Sequence, residues 1–346
     1  MIKSHLYAFF AMIVATSASA LLLAQGLQSF SGATMGTRYT VTVVGEIDPE
    51  LPKKVDARLA EINRLMSTYD PESELSRFNQ YQEADWFPVS TETAKVVQFA
   101  LGVSKATDGA FDPTVGPAVN LWGFGPEGRR AEPPSEKEIE KTRERIGYEH
   151  VSVRTDPPAL RKYRADIYLD LSAVAKGYAV DEISDLLVNE GHTDSLVVIG
   201  GEIRARGRKP DGTLWKIGIE EPDSAGEPIS RSVNLENTSV STSGDWRNSF
   251  VDHEVRYSHV IDPQTARPVR HKLASVTVFA DTSIQADSWS TSLLVIGENR
   301  GIAWCERNKV AAMFFIRLPG GAIGTRASTF VAKRIAPAEA SASTGN

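Results

Sequence analysis

The sequence predicts an α+β fold in which helices pack against a mixed, largely antiparallel sheet. Helical and extended segments are interspersed along the 346 residues, several extended runs are paired through turn residues, and residues 195–201 form a continuous apolar run ending in glycines. Pairing through turns indicates antiparallel hairpins, whereas the apolar run is typical of a strand buried on both faces. A chain of this length with 41% hydrophobic residues can bury a large core.

Composition and charge exclude some classes of partner and site. The net charge of −6 argues against a nucleic-acid partner, because no basic stripe is available to neutralise phosphates. The single cysteine, Cys305, excludes an internal disulfide and a cysteine-rich metal site. It lies in an apolar helical stretch, so we expect a buried, inert thiol.

Residues 1–28 at the N-terminus are predicted to be a targeting segment. Lys3 is followed by an apolar run and by the small residues 17–20, which is typical of a secretory signal peptide. The apolar run continues to Ala24 and reaches roughly nineteen residues, close to the length of a membrane span. A cleaved signal and a retained anchor both remain open, and each implies export.

The first half of the remaining chain alternates between extended and helical patterns. Residues 39–44 alternate as a strand does, and 53–68 form an amphipathic helix. Pro71 favours a turn over 69–79. A second helix is predicted over 91–108, and the glycines and prolines of 109–117 indicate a shaped loop.

The second half is richer in strands. The polar residues 126–142 predict a surface connection that ends in a short helix. The elements predicted after it are a hairpin over 151–168, strands over 202–207 and 215–219, a hairpin around 250–256, a turn over 262–268, a strand over 274–280, helices over 284–294 and 301–308, and closing strands over 310–316 and 322–330. The small, polar tail 336–346 is predicted to be disordered, which leaves one domain over 29–335.

A strand-to-helix turn near residue 170 carries ionisable groups. Residues 165–169 are predicted to be extended, and a helix is predicted to begin near Val174. Free N–H groups at such a helix start suit an anionic ligand such as a phosphate. From these residues alone, the alternative is that Asp170 caps the helix and Lys176 is a solvated surface lysine.

A carboxylate and a hydroxyl are spaced four residues apart in the predicted helix 284–294. Asp287 and Thr291 share one helix face, so their oxygens can converge. Together with backbone, water and phosphate oxygens they suit Mg²⁺, which prefers hard oxygen ligands. The alternative is that Asp287 is the N-cap of a helix start near the surface.

Eight motif-like segments are spread along the chain. They are Thr34-Met35-Gly36-Thr37, Met66-Ser67-Thr68-Tyr69-Asp70, Asp108-Gly109-Ala110-Phe111-Asp112-Pro113-Thr114, Asp170-Leu171-Ser172-Ala173-Val174-Ala175-Lys176-Gly177-Tyr178-Ala179-Val180-Asp181, Gly200-Gly201-Glu202-Ile203, Ser241-Thr242-Ser243-Gly244-Asp245, Tyr257-Ser258-His259-Val260-Ile261-Asp262-Pro263 and Ala286-Asp287-Ser288-Trp289-Ser290-Thr291. These segments resemble motifs of the ApbE-type FAD:protein FMN transferases, formerly described as thiamine-biosynthesis lipoproteins. They occur in the order that the family has them. Ala266 departs from the glycine that is usual in the family, which we expect to affect backbone shape.

The resemblance implies an α+β fold and a site for FAD and Mg²⁺. The implied metal ligands are Asp287, Thr291 and the backbone carbonyl of Ala173, and the candidate bases are Asp287 and His259. The implied FAD contacts are Met35, Tyr69, Ala110, Phe111, Asp112, Asp170, Lys176 and Ile261. For Tyr69 and His259 the residues alone leave open a core tyrosine and an ordinary hydrogen-bonded histidine.

The activity implied by the resemblance is Mg²⁺-dependent transfer of FMN from FAD to a threonine hydroxyl of an exported or membrane-bound redox subunit, with release of AMP. A Mg²⁺-dependent FAD pyrophosphatase and a non-catalytic FAD-binding protein are the alternatives. The implied location is the periplasm or the periplasmic face of the inner membrane. Many relatives are lipoproteins, but no cysteine lies near this N-terminus, so we expect no lipid anchor. Residues 31–34 resemble the family's acceptor motif, yet we expect Thr34 to remain unmodified.

Overall fold

An eight-stranded antiparallel sheet is the framework of the molecule. The computed structural model describes residues 26–335 apart from 126–127, 129, 131, 220–221, 223–230, 246–248 and 253–254. The helices are α1 (Leu51–Met66), α2 (Glu74–Gln80), α3 (Thr91–Ala106), α4 (Gly116–Leu121), α5 (Glu136–Arg143), α6 (Ala175–Asn189), α7 (Ser283–Ile296) and α8 (Glu298–Asn308). The predicted α+β class with a largely antiparallel sheet is confirmed.

The strands are numbered in chain order. They are β1 (Leu27–Thr34), β2 (Thr37–Val44), β3 (Phe87–Pro88), β4 (Val151–Thr155), β5 (Pro158–Lys162), β6 (Ser195–Ile199), β7 (Glu202–Arg206), β8 (Trp215–Ile219), β9 (Arg231–Leu235), β10 (Thr238–Gly244), β11 (Ser249–Asp252), β12 (Val255–Ser258), β13 (Ile261–Asp262), β14 (Arg267–Pro268), β15 (Leu273–Ala280), β16 (Ala311–Arg317) and β17 (Ile323–Ala327). The large sheet has the order β1-β2-β6-β7-β10-β15-β16-β17, and every neighbouring pair is antiparallel.

The two faces of this sheet are covered by different elements. Alternate residues of β2 and β6, such as Val41 and Val197, pack against α1, α2, α3 and α6. On the same side, Val278 of β15 lies in a second cluster with α7 and α8. The opposite face carries Phe279 and the hairpin β8–β9 with Trp215. Side chains of successive residues therefore enter different core layers, as the period of a strand requires.

Most predicted elements are present, but two helices and one strand differ. Ser73 caps α2 by accepting from the N–H of Ser76 at 2.9 Å, so a new helix begins within the predicted turn. Helix α4 begins within the predicted loop, with Pro117 in its first turn. Residues 165–169 form no strand, because the Asn79 side chain hydrogen-bonds both backbone groups of Leu169.

The glycine pair and the cysteine are both in well-defined surroundings. Gly200 and Gly201 form a tight turn between β6 and β7, with φ of 61° and 111°. Cys305 is fully buried, as expected, and burial raises the pKa of its thiol to about 12, which disfavours the reactive thiolate.

The ends of the chain lie mostly outside the described residues. The tail 336–346 and residues 1–25 of the predicted targeting segment are among them, and β1 begins at Leu27. Within the described part of the chain, no helix is both long enough and apolar enough to cross a membrane.

Helices α6 and α7 cap each other at their N-termini. The Asp181 carboxylate of α6 accepts from the N–H groups of Ser283 and Ile284, at 2.8 and 2.9 Å. In return, Asp287 of α7 accepts from the N–H of Gly177 at 2.9 Å. A Cβ at Gly177 would lie 2.4 Å from the carbonyl oxygen of Ser283, so only glycine permits this approach.

We predict that Gly177→Ala lowers the free energy of unfolding by about 1–3 kcal/mol, because the added methyl overpacks a backbone contact. Gly102→Ala in α3 is the matched control, since a Cβ there meets no atom within 4 Å. The control should stabilise the protein by about 0.5–1 kcal/mol, as alanine normally does in a helix. Urea unfolding monitored by circular dichroism measures both, and equal effects would contradict the packing argument.

Candidate active site

A cavity of about 390 Å³ opens between the helical face of the sheet and the loops that precede α4 and follow β12. It combines apolar and aromatic side chains with a few charged groups, as ligand sites commonly do. Of the residues singled out in the sequence, it is lined by Tyr69, Ala110, Phe111, Asp112, Asp170, Ala173, Lys176, His259, Ile261, Asp287 and Thr291. Segments far apart in the chain are thus brought to one site.

Met35 is the one FAD contact suggested by the sequence that does not line this cavity. It lies in the turn between β1 and β2 with φ of 48° and packs partly against the core. The turn is nevertheless close to the site, since a Cβ on Gly200, which lines the cavity, would lie 2.9 Å from Thr37.

Asp287 is a buried carboxylate within α7. It is 2% exposed and lies four residues past the helix start at Ser283, so the alternative of a surface N-cap is wrong. Burial raises the pKa of Asp287 to about 7, against the opposing effect of the Lys176 ammonium. The Nζ of Lys176 lies 3.8 Å from Asp287 Oδ1.

Lys176 is held by an acidic neighbour. Its Nζ donates to Glu202 Oε1 at 2.5 Å, so the alternative of a solvated surface lysine is wrong. Glu202 is 4% exposed and also lines the cavity. Its second oxygen, Oε2, is buried without a hydrogen-bond partner among the described residues. The inner end of the cavity therefore holds two carboxylates on either side of one ammonium group.

Hydroxyl groups continue from this inner end into the interior. Ser243 Oγ lies 3.2 Å from Thr291 Oγ1 and 2.9 Å from Ser290 Oγ. Ser290 Oγ in turn donates to the Asp287 carbonyl at 3.0 Å. The orientation of Thr291 is thus linked to strand β10, whose Ser243 also lines the cavity.

The turn before α6 is built differently from the prediction. Asp170 Oδ1 accepts from the N–H and hydroxyl of Ser172, and the helix starts only at Ala175, so Asp170 is not its N-cap. The N–H of Ala175 is bonded to Leu171, and that of Gly177 to Asp287. These two donors are therefore engaged within the protein, and the positive charge offered to a phosphate comes from Lys176.

Asp112 stabilises the loop that leads into α4. Its Oδ1 accepts from the N–H and hydroxyl of Thr114, and its Oδ2 accepts from the N–H of Tyr148 at 2.9 Å. Burial raises the pKa of Asp112 to about 6, although these hydrogen bonds oppose the shift. The carboxylate oxygens are thus engaged in shaping the wall of the cavity.

Aromatic groups form the outer part of the cavity. Tyr69 is 68% exposed, so the alternative of a core tyrosine is wrong. Phe124 packs edge-on against the His259 ring, with 6.3 Å between centroids. Behind them Trp122 stacks on Tyr257 and donates to the carbonyl of Ala266 at 2.8 Å.

Ala266 adopts a backbone conformation that glycine favours, so the change of backbone shape expected at this position is not seen. Its φ is 53°, in the left-handed region that glycine adopts most easily, and its methyl is fully buried. The backbone thus keeps the shape that a glycine would give, and the carbonyl of Ala266 still accepts from Trp122.

Glu202, which accepts from Lys176, and Ser243, which contacts Thr291, were missed as site candidates from the sequence. Glu202 follows the glycine pair directly, and Ser243 lies in the Ser-Thr-Ser-Gly-Asp segment. Both segments had been noticed as motifs, so the signal was present. A lone glutamate at a strand start and a serine in a β-rich run have no spacing that marks them as functional.

The inner end suits a divalent cation that is shared with a ligand. Among the described residues no group of three or more His, Cys, Asp or Glu side chains could enclose a metal. Asp287, Thr291 and the carbonyl of Ala173 are hard oxygen donors, and one carboxylate with waters and phosphate oxygens is the usual environment of Mg²⁺. The buried, unpartnered Glu202 Oε2 is a further acceptor that a bound group could satisfy.

We predict that Asp112→Asn flattens the pH dependence of stability. Because the folded pKa is raised from 3.8 to about 6, the stability that Asp112 contributes is fully present below pH 3.8 and is lost as the pH rises through 6. The free energy of unfolding of the wild-type protein should therefore fall by about 3 kcal/mol relative to that of the variant between pH 3.5 and 7. Denaturant unfolding at several pH values measures this difference, and parallel curves would contradict it.

Comparison with known proteins identifies the family of this chain. The ApbE family pattern matches residues 35–314. An FAD:protein FMN transferase of Vibrio cholerae is 41% identical over 84% of this chain and 88% of its own length. One from Haemophilus influenzae is 39% identical over 87% of this chain and 90% of its own length.

Solved structures show the same relationship. The flavin transferase ApbE from Vibrio cholerae has a TM-score of 0.82 and 38% identity, covering 89% of this chain and 99% of that one. The flavinyl transferase ApbE from Pseudomonas stutzeri, solved in an apo form, has a TM-score of 0.82 and 39% identity, covering 89% and 96%. The resemblance found in the sequence is confirmed, and this chain belongs to the ApbE family.

Proposed function

We propose that this chain is an FAD:protein FMN transferase that moves FMN from FAD to a threonine hydroxyl of an acceptor protein in a Mg²⁺-dependent reaction and releases AMP. The observation that carries the proposal is the division of one cavity into an aromatic outer part and an inner end with Lys176, Asp287 and Thr291. The activity named for its relatives supports it. We propose one catalytic domain over 29–335.

FAD suits the two parts of the cavity by its chemistry. The flavin ring is assigned to the aromatic and apolar wall that includes Tyr69, Phe111 and Ile261, because ring stacking and burial favour flat apolar groups there. Ala110, Asp112 and Asp170 complete that wall. The pyrophosphate is assigned to the inner end, where the Lys176 ammonium supplies a positive charge.

Asp287, Thr291 and the carbonyl of Ala173 are the residues that would hold Mg²⁺. When bound, the metal ion neutralises charge on the pyrophosphate and makes AMP a better leaving group. Asp287 is oriented for this by the Gly177 N–H, and Thr291 by its contact with Ser243. The burial of Asp287 excludes water that would compete for its carboxylate.

The chemical step exchanges the phosphoanhydride bond of FAD for a phosphoester bond to the acceptor. The acceptor hydroxyl oxygen forms a bond to the phosphorus on the riboflavin side, and the bond from that phosphorus to the oxygen of AMP breaks. The hydroxyl proton passes to a base, and AMP leaves with the bridging oxygen. His259 is our candidate for this base, since the oxygens of Asp287 are assigned to the metal and to Gly177.

Two alternatives share parts of this site. A pyrophosphatase would use water in place of the acceptor hydroxyl, with the same metal and flavin contacts. A non-catalytic FAD-binding protein would need the aromatic wall but has no use for a buried carboxylate and hydroxyl beside a lysine. The clustering of Asp287, Thr291 and Lys176 in the cavity therefore supports an enzyme.

We predict that AMP release from FAD and Mg²⁺ is slow with the purified protein alone and rises when a threonine-bearing acceptor domain is added. A fluorescent flavin band should appear on the acceptor after denaturing electrophoresis. The controls are an acceptor with threonine replaced by valine and the Asp287→Asn enzyme. That variant should lose activity on the order of a hundredfold or more, since even groups behind metal ligands contribute about 10–100-fold.

The same experiment separates the alternatives. Fast AMP release that is indifferent to the acceptor, with no flavin on protein, would identify a pyrophosphatase. Bound FAD that yields no AMP under either condition would identify a binding protein. Undiminished activity of Asp287→Asn in the presence of EDTA would contradict the metal assignment.

We also propose that the domain is exported, to the periplasm or to the periplasmic face of the inner membrane. The basis is the positive, apolar and small-residue order of residues 1–24. We predict that a reporter enzyme active only after export, fused behind residue 335, is active in cells. An inactive reporter in an intact fusion would refute export, and the mass of the mature N-terminus distinguishes a cleaved signal from a retained anchor.

A further inference from the structure

Glu202 is a buried acid in the cavity wall to which the proposed reaction assigns no role. It is the first residue of β7 and pairs with Ile199 across the tight turn at Gly200–Gly201. Only Gly200 and Gly201 lie between the two strands, and their positive φ values suit such a two-residue turn, so the position of Glu202 is fixed by the sheet. A side chain fixed in this way can hold a flexible neighbour in place.

The flexible neighbour is Lys176. Its Nζ lies 2.5 Å from Glu202 Oε1 but 3.8 Å from Asp287 Oδ1, which is beyond hydrogen-bond length. The lysine stem also passes the turn, since a Cβ on Gly200 would lie 3.5 Å from Lys176 Cδ. The ammonium group is therefore hydrogen-bonded to Glu202 and only approaches Asp287.

We propose that Glu202 is a positioning residue that anchors Lys176 and so leaves Asp287 Oδ1 available to a divalent cation. The proposal rests on the Mg²⁺-dependent function proposed above. Ammonium and cation compete for the same buried carboxylate, because either can compensate its charge. With Glu202 present, the Lys176 ammonium is paired with the Glu202 carboxylate instead of Asp287 and can interact with a phosphate.

The second oxygen of Glu202 agrees with this role. Oε2 is buried and has no hydrogen-bond partner among the described residues, although buried polar atoms normally have one. A cation that keeps several of its waters brings donors of the kind that this oxygen needs. The unsatisfied oxygen is therefore what the proposed positioning role leaves for a hydrated cation to satisfy.

The test measures Mg²⁺ affinity in the presence of saturating ADP, which carries a pyrophosphate but no flavin to transfer. Isothermal titration calorimetry of the full chain gives the dissociation constant. We expect Glu202→Met to weaken Mg²⁺ binding about 10–100-fold, the usual effect of losing a residue that orients a metal ligand. Glu202→Gln, which can still accept from the lysine but carries no charge, should weaken it less.

The decisive variant removes the competing ammonium. In Glu202→Met/Lys176→Met the affinity for Mg²⁺ should return to within about threefold of Lys176→Met alone, because no lysine remains to occupy Asp287. Asp185→Asn is the matched control: Asp185 pairs with Arg206, so it also joins α6 to β7, but its side chain is 61% exposed. Its Mg²⁺ affinity should equal that of the wild type.

Three results have distinct meanings. Wild-type affinity in both single variants of Glu202 would overturn the positioning role. A loss that Lys176→Met does not rescue would also overturn it, because Glu202 would then act as a ligand or as a structural support. Absence of any Mg²⁺ binding by the wild-type protein with ADP would instead refute the metal-dependent function on which the inference rests.

Discussion

The reciprocal capping of α6 and α7 is the contact on which the site depends. Neither helix has a side-chain cap of its own, since Val174 and Thr282 at their N-cap positions make no such hydrogen bond. Each helix instead uses a carboxylate of the other, so that unsatisfied N–H groups are paired in the interior. The two helix starts are thereby held at a fixed separation, and Asp287 and Thr291 face the cavity as a consequence.

This arrangement places several charged side chains beside the cavity, where solvent has little access to them. Asp181, Asp287 and Glu202 are all largely buried, and the cations that pair with them are Arg204 and Lys176. Burial raises the pKa values of both Asp181 and Asp287, which shows that the pairing does not fully compensate the desolvation. The folded protein thus carries an electrostatic cost beside the cavity, which a cation bound at the proposed site would relieve.

The elements could be predicted from the sequence because their periodicities are local. The alternation in β2 and the helical spacing in α1 depend only on neighbouring residues, and both agree with the structure. Helix α2 lies outside the prediction because Ser73 starts it directly after a turn. The alternation of 165–169 predicts a strand, but none forms because the Asn79 side chain takes the place of a partner strand. A tertiary contact in which a side chain replaces a partner strand gives no signal in the spacing of residues along the chain.

The candidate site shows the same contrast between local patterns, which the sequence reveals, and tertiary contacts, which it does not. Motif resemblance named most of the residues that meet in the cavity, but the residues alone favoured a capping role for Asp170 and Asp287 and a solvated Lys176. Those alternatives failed because capping and solvation depend on which helix or strand lies opposite. The position of Glu202 in the cavity wall is set only when β6 and β7 pair, so no local sequence pattern could identify it as a site residue.

The sheet order has an evolutionary consequence. The spatial order of its strands is the same as their order along the chain. Each segment between two strands therefore leaves the sheet and returns at the adjacent position. The segments 45–194 and 245–272 are two such excursions, and they supply most of the outer cavity wall. Because the entropy of closing a loop grows only slowly with its length, the surface loops within these excursions can be lengthened in a lineage without altering strand register. The outer cavity wall can thus diverge while the sheet and the α6–α7 contact beneath it are retained.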